Sequence, residues 1–151
     1  MRRIHYSDST MNGLVITLPI PSRLLQPNSR SHWAAKSKET KAFRAIAKLR
    51  AKEAMSKSPD KFKGMQTAVV GIHWYSKTNR KIDQDNLISS LKSGFDGLTD
   101  AGLWVDDRDI FYLPPERSKS ADNPRVELVI HELNEEQLRA AINSLTGVAK
   151  Q

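Results

Sequence analysis

Asp83 and Asp85 stand two residues apart in the segment KIDQDNL, and Asp106, Asp107 and Asp109 follow in WVDDRDI. An extended chain turns residues two apart toward the same face, so Asp83 and Asp85 can act together. Oxygen-only side chains of this kind suit a hard divalent cation. Mg²⁺ takes one or two carboxylates and fills its remaining positions with water and substrate phosphate oxygens. A cation held there orients a phosphodiester, promotes hydroxide formation and stabilises the leaving oxygen. Mn²⁺ is a possible substitute. A plainer explanation stands beside this one. Asp-x-Asp-Asn ahead of a helix also serves as a cap, and Asp106–Asp107 also suits a polar turn before a strand. The missing 12-residue loop with its central Gly and final Glu argues against an EF-hand.

Asp85 opens a stretch that reads as a helix to about Leu98. Leu87, Ile88, Leu91, Phe95 and Leu98 make one apolar face, and Asp85, Ser89, Lys92 and Asp96 share the other. Lys92 therefore lies on the Asp85 side, about 10 Å along the axis, and leans back toward it. It can meet a phosphate or pair with Asp96 one turn on.

The cationic counterpart lies upstream. Lys38 to about Lys57 reads as a helix, capped by Ser37 or Thr40, with Ala42, Phe43, Ile46, Ala47, Leu49 and Ala54 apolar. Lys41, Arg44, Lys48 and Lys52 fall on another face, a stripe suited either to a phosphate backbone or to solvent. Lys77, Arg80 and Lys81 crowd the polar loop that leads into Asp83.

Other elements supply the scaffold. Leu14–Pro19, Thr67–Tyr75, Ile110–Leu113 and Arg125–Leu133 have the alternation and β-branching of strands. Ile20–Ser31 and the stretch with Pro114, Pro115 and Pro124 read as loops. Asn134 starts a last helix, with Gln137 at the capping-box position and Leu138, Ala141, Ile142 and Leu145 as its apolar stripe. The expected fold is α+β: a single domain over residues 13–151, with a mixed sheet of four or five strands and about three helices. Residues 1–12 read as a flexible leader.

Composition agrees with a globular protein that meets nucleic acid. The 151-residue chain is 38% hydrophobic and 27% charged, with a net charge of +7. Residues 1–64 hold 14 Lys/Arg against 4 Asp/Glu, or +10, and residues 65–151 hold 10 against 13, or −3. A basic half and an acidic half suit cations gripping phosphates beside carboxylates holding metal, and they also suit an ordinary basic protein. No apolar run approaches the ~20 residues of a membrane span. The absence of cysteine excludes disulfides and thiolate metal sites and fits a reducing cytoplasm. His32 in the proline-rich loop could touch DNA, and Trp33 could stack on a base but is expected rather to anchor the loop to the core, whereas His73 and His131 sit in strands and read as structural.

The segment from Arg80 to Asp107 resembles the RusA-like Holliday junction resolvases. It shows a basic residue, Asp83-Gln84-Asp85-Asn86-Leu87, Lys92 before Phe95-Asp96-Gly97-Leu98, and the Asp106-Asp107 pair after Ala101-Gly102-Leu103-Trp104-Val105. Leu18-Pro19-Ile20-Pro21-Ser22 with Asn28, and the strand RVELVIHEL, resemble the family's start and close, so the likeness covers about Leu14 to Glu132. The resemblance implies a homodimeric, Mg²⁺-dependent endodeoxyribonuclease that resolves four-way junctions by paired nicks. It implies that Asp83, Asp85 and Asp107 are its metal ligands and that Lys92 is its lysine. Alignment forward from Asp85 puts Ser89 at that position instead, because three residues are inserted. Two other functions remain open: a basic module that holds nucleic acid without cutting it, and a nuclease acting mainly on forks or flaps.

Overall fold

The computed structural model describes residues 13–30, 32–57 and 62–146. The expected leader, 1–12, lies outside them. The order is β1 (Leu14–Leu18), a 3-10 turn (Arg23–Leu25), α1 (Trp33–Ser56), β2 (Ala68–Ser76), α2 (Gln84–Ser90), α3 (Lys92–Asp100), a second 3-10 turn (Asp107–Asp109), β3 (Ile110–Tyr112), β4 (Glu116–Lys119), β5 (Arg125–Glu132) and α4 (Glu135–Thr146). This is the expected α+β domain with a mixed five-stranded sheet.

β5 lies between β1 and β2 and is antiparallel to both. β3 and β4 both pair in parallel with the far edge of β2, β3 beside its first residues (Ala68↔Ile110) and β4 beside its last (Ser76↔Lys119). β4 falls within the stretch expected as loop. Pro114 and Pro115 break this edge into two short strands, since neither can donate to the ladder.

Alternation along the strands sends Ile16, Leu18, Val70, Ile72, Trp74, Val126, Leu128 and Ile130 into one core. Helices cover that face. α1 starts five residues before the expected Lys38, because the His32 ring accepts from the Ala34 N–H and caps it. Thr40 instead bonds back to the Lys36 carbonyl inside the helix. The buried stripe of α1 is Phe43, Ala47 and Ala51, while Ile46 and Leu49, expected inside, are 38% and 57% exposed. Packing against α3 selects that stripe. A methyl group on Gly97 would lie 2.3 Å from the Arg44 carbonyl oxygen and 2.9 Å from the Ala47 methyl. The two helices approach so closely only because residue 97 has no side chain.

The single helix expected over Asp85–Leu98 is two helices. At Leu91 the backbone N–H turns to the Ile88 and Ser89 carbonyls, and α3 begins at Lys92. Asn134 caps α4 as expected, its Oδ1 accepting from the Gln137 N–H while Gln137 Oε1 accepts from the Asn134 N–H. No helix among the described residues is long and apolar enough to cross a membrane.

Candidate active site

β2 ends at Ser76, and the irregular stretch through Lys77 and Arg80 leads to Asp83 at the start of α2. Such a stretch lacks ladder partners for its carbonyls, and β4 supplies them. Arg117 donates from Nη1 to the Ile82 carbonyl at 3.2 Å and from Nη2 to the Arg80 carbonyl. One planar guanidinium thus bridges the backbone on both sides of Lys81.

Asp83 is the N-cap residue of α2, yet its side chain makes no capping bond. Asp85 sits in the first turn, and both side chains are exposed. Asp83 borders a cleft of about 510 Å³ whose rim carries Arg23, Lys77, Arg80 and Lys81, with Asn86 and Gln26 beside them. Ile20, Pro21, Trp74 and Pro124 form its apolar wall. Three of the four rim cations are those expected from the sequence. Arg23 is an addition, brought in by the 3-10 turn after β1. Arg117 is a second addition. It lies 35 residues from the carbonyl it holds, and no local pattern marks it.

Lys92 is exposed at the start of α3, and among the described residues it makes no ion pair, with Asp96 or otherwise. Ser89 is exposed one turn earlier, before the break.

Asp107 belongs to the other end of the sheet. Asp106 caps the 3-10 turn, accepting from the Arg108 backbone N–H at 2.9 Å and from its Nε at 3.0 Å. Those bonds hold the Asp106 carboxyl down to about 2. Asp107 is exposed and lies near Tyr112. Burial chiefly, and then the charges of Asp107 and Asp96, push the Tyr112 phenol up to about 12. Tyr112 packs on Phe95 with ring centroids 4.5 Å apart. Tyr112 thus lies within electrostatic reach of both Asp107 and Asp96.

The fold brings Asp83 together with the loop cations and leaves Asp85 exposed two residues on, in the first turn of α2. It does not bring Asp107 to them within one chain. Among the described residues of one chain, no three His, Asp or Glu side chains converge closely enough to hold a metal ion. Asp83 and Asp85 alone fit the usual protein share of a Mg²⁺ site: two carboxylates, unpartnered among the described residues and exposed, with Asp83 lining the cationic cleft.

The stripe on α1 is divided. Lys41 and Lys52 are exposed, and Lys48 is partly covered. Arg44 makes a two-bond ion pair with Asp100 on α3, at 2.6 and 2.9 Å. That pair lowers the pKa of the Asp100 carboxyl and raises that of the guanidinium.

Residues 19–131 match the family model described as endodeoxyribonuclease RusA. The chain belongs to the RusA endodeoxyribonuclease family. The match takes in α1, the cationic cleft, Asp83, Asp85, Lys92 and Asp107, and leaves α4 outside. An uncharacterized protein of Xylella fastidiosa (strain Temecula1) is 31% identical over 144 residues, covering 90% of this RusA-family chain and 78% of its own. Among solved structures, the periplasmic domain of Helicobacter pylori MotB (residues 97–256) is 17% identical, with 86% of this chain and 90% of that one covered and a TM-score of 0.34. A longer form of that domain (residues 78–256) is 16% identical, over 87% and 85%, with a TM-score of 0.34. Scores this low do not indicate a shared fold.

Proposed function

We propose that this RusA-family protein is a homodimeric, divalent-metal-dependent endonuclease that resolves four-way DNA junctions by paired symmetric nicks, in recombination and repair. The observation that carries it is the unpartnered carboxylate of Asp83 on a cleft lined by Arg23, Lys77, Arg80 and Lys81, with the exposed Asp85 two residues on in the first turn of α2. Asp83, Asp85 and Asp107 hold Mg²⁺, which Mn²⁺ can replace. The bound ion supplies Lewis acidity at the scissile phosphate and a more acidic water.

The remaining work falls to the protein's own groups. The rim cations seat the phosphates of the cut strand next to Asp83, which fixes the reacting phosphodiester in place. Lys92, without an ion-pair partner among the described residues, neutralises charge that develops on the phosphate in the transition state. Lys41, Lys48 and Lys52 on α1 hold a junction arm, with Arg44 contributing only where it leaves Asp100. A two-fold dimer presents two such sites to the two symmetric cuts.

The test is cleavage of a labelled synthetic four-way junction with and without Mg²⁺. Metal-dependent, paired cuts that chelation abolishes are expected, along with loss of cutting but not of binding in Asp83→Asn and Asp85→Asn. Binding that survives chelation with no cutting at any metal concentration would identify a non-catalytic module. Faster cutting of forks or flaps than of junctions, at one fixed salt concentration, would assign those as the substrate.

A further inference from the structure

The cleft beside Asp83 is lined by polar groups that have no partner among the described residues. Gln26 caps the end of the first 3-10 turn, and Asn86 sits in the first turn of α2. Both are half-buried, and neither carboxamide makes a hydrogen bond among the described residues. Ser76, the last residue of β2, lines the cleft too, and its Oγ is buried without a partner. Trp74 completes the set. A buried indole N–H usually finds an acceptor. Trp104, 2% exposed, donates to Thr99 Oγ1 at 2.7 Å. Trp74, 3% exposed, has no such acceptor among the described residues.

Unmet donors and acceptors set into an apolar wall suit a ligand with a polar edge and a flat apolar face. Each carboxamide both donates and accepts. A phosphate only accepts, so it satisfies the rim cations and leaves the carboxamide oxygens unmet. A nucleobase meets both needs. Its edge carries donors and acceptors, and its faces lie well against Ile20, Pro21 and Pro124. The cleft, at about 510 Å³, falls within the roughly 300–1,000 Å³ of pockets that hold small molecules. Cations at the rim and unmet amides on the wall match the two ends of one nucleotide.

We infer that the cleft receives one unstacked base of the DNA strand, next to the phosphate seated beside Asp83, and that Gln26 and Asn86 read its identity. The role on a cut strand rests on the junction-nuclease reading, while the base pocket itself does not. A base inside a continuous duplex must leave its stack and its partner to enter. At the point of strand exchange that pairing is already interrupted, so entry costs least there. The cleft thereby ties cutting both to the branch point and to the base that occupies it. The wall is set before DNA arrives, because Arg117 holds the carbonyls of Arg80 and Ile82, two residues that line it.

Base preference tests the reading role. The full-length wild type, Gln26→Ala and Asn86→Ala are given junctions with a fixed exchange point. Each position flanking the cut carries each of the four bases in turn. The wild type should prefer one base at one position by about 10-fold or more, the scale of a two-bond base contact. In the variants the preferred junction should slow toward the other three, until the preference is about 2-fold or less. A wild type indifferent to base at every position overturns the inference. So does a loss of rate in both variants that all four bases share equally.

A second measurement needs neither metal nor cutting. The chain has three tryptophans, so nitrogen-15 labelling gives three indole N–H signals, assigned by through-bond correlation. The four deoxynucleoside 5′-monophosphates and inorganic phosphate are titrated separately in the presence of chelator. At least one mononucleotide should move the Trp74 indole signal and the side-chain amide signals of Gln26 and Asn86. Inorganic phosphate should move only backbone amides of residues 77–83. If phosphate moves the side-chain signals equally, or no mononucleotide moves them, no base enters and the inference is overturned. Mononucleotide shifts joined to an unchanged base preference in both variants would make the cleft a free-nucleotide site and overturn its role on DNA. A wild type that cuts no junction yet shows these shifts keeps the base pocket and loses the nuclease reading.

Discussion

Arg117 on β4 holds the carbonyl of Ile82, at 3.2 Å, and so the backbone directly before Asp83 is anchored to the sheet. Its Nη2 reaches the Arg80 carbonyl as well. Lysine offers one point charge and cannot span two carbonyls. Arg117→Lys should therefore leave junction binding nearly unchanged and slow cleavage by about 10-fold or more, the scale expected for small misplacement of a reacting group. The metal concentration for half-maximal cutting should rise, and amide hydrogen exchange over residues 78–86 should accelerate. Unchanged exchange in that segment would show that Arg117 does not position it.

Gly97 sets the distance between α1 and α3. Gly97→Ala places a methyl group against the Arg44 carbonyl oxygen and the Lys48 N–H, both backbone atoms that cannot turn aside. The expected cost is about 1–3 kcal/mol, a fall in Tm of roughly 2–10 °C for a domain of this size. Gly94→Ala meets only the ring edge of Phe43, at 2.7 Å, and a ring can tilt. Thermal unfolding should rank Gly97→Ala as the more damaging substitution.

Cations that bind phosphate reveal themselves through salt. Replacing Lys81 or Arg80 by Gln should weaken junction binding and reduce the slope of log affinity against log salt by about 1 for each phosphate that is no longer neutralised. Arg44 already has a carboxylate partner in Asp100, so Arg44→Gln should change that slope less than Lys81→Gln does. Binding isotherms at three or four salt concentrations decide the order.

Burial lowers the pKa of the His131 ring on β5. A site whose folded pKa lies below the unfolded one binds its proton less readily when folded, so protonation favours unfolding. The stability that His131 contributes is present above its ordinary value of about 6.5 and is lost as pH falls through the depressed value. Urea midpoints should therefore decline from pH 7.5 toward pH 5.5 more steeply in the wild type than in His131→Gln. Parallel declines would assign the acid sensitivity to other groups.

The local elements were legible in the sequence because their signals are local. Alternation marked β1, β2 and β5. The Asn134–Gln137 box marked the start of α4. Asp83 and Asp85 announced themselves by standing two residues apart at a helix entrance, with Lys77, Arg80 and Lys81 just before them. Errors arose where a distant partner decides the outcome. Leu49 and Ile46 have the hydrophobicity of core residues, but the surface offered by Gly94 and Gly97 on α3 fits Phe43, Ala47 and Ala51 instead. Nothing nearby in the chain foretold the break at Leu91, or the strand at Glu116–Lys119, which exists because β2 has an open edge for it.

The sequence by itself determined which residues can bind a cation and which can bind a phosphate, because charge and ligand chemistry belong to side chains. Only the tertiary structure decided which of them meet. Strand register is a long-range property, and it sets Asp107 level with the start of β2 while Asp83 lies past its end. Arg23 and Arg117 joined the site through the same register, from positions no spacing rule connects to Asp83.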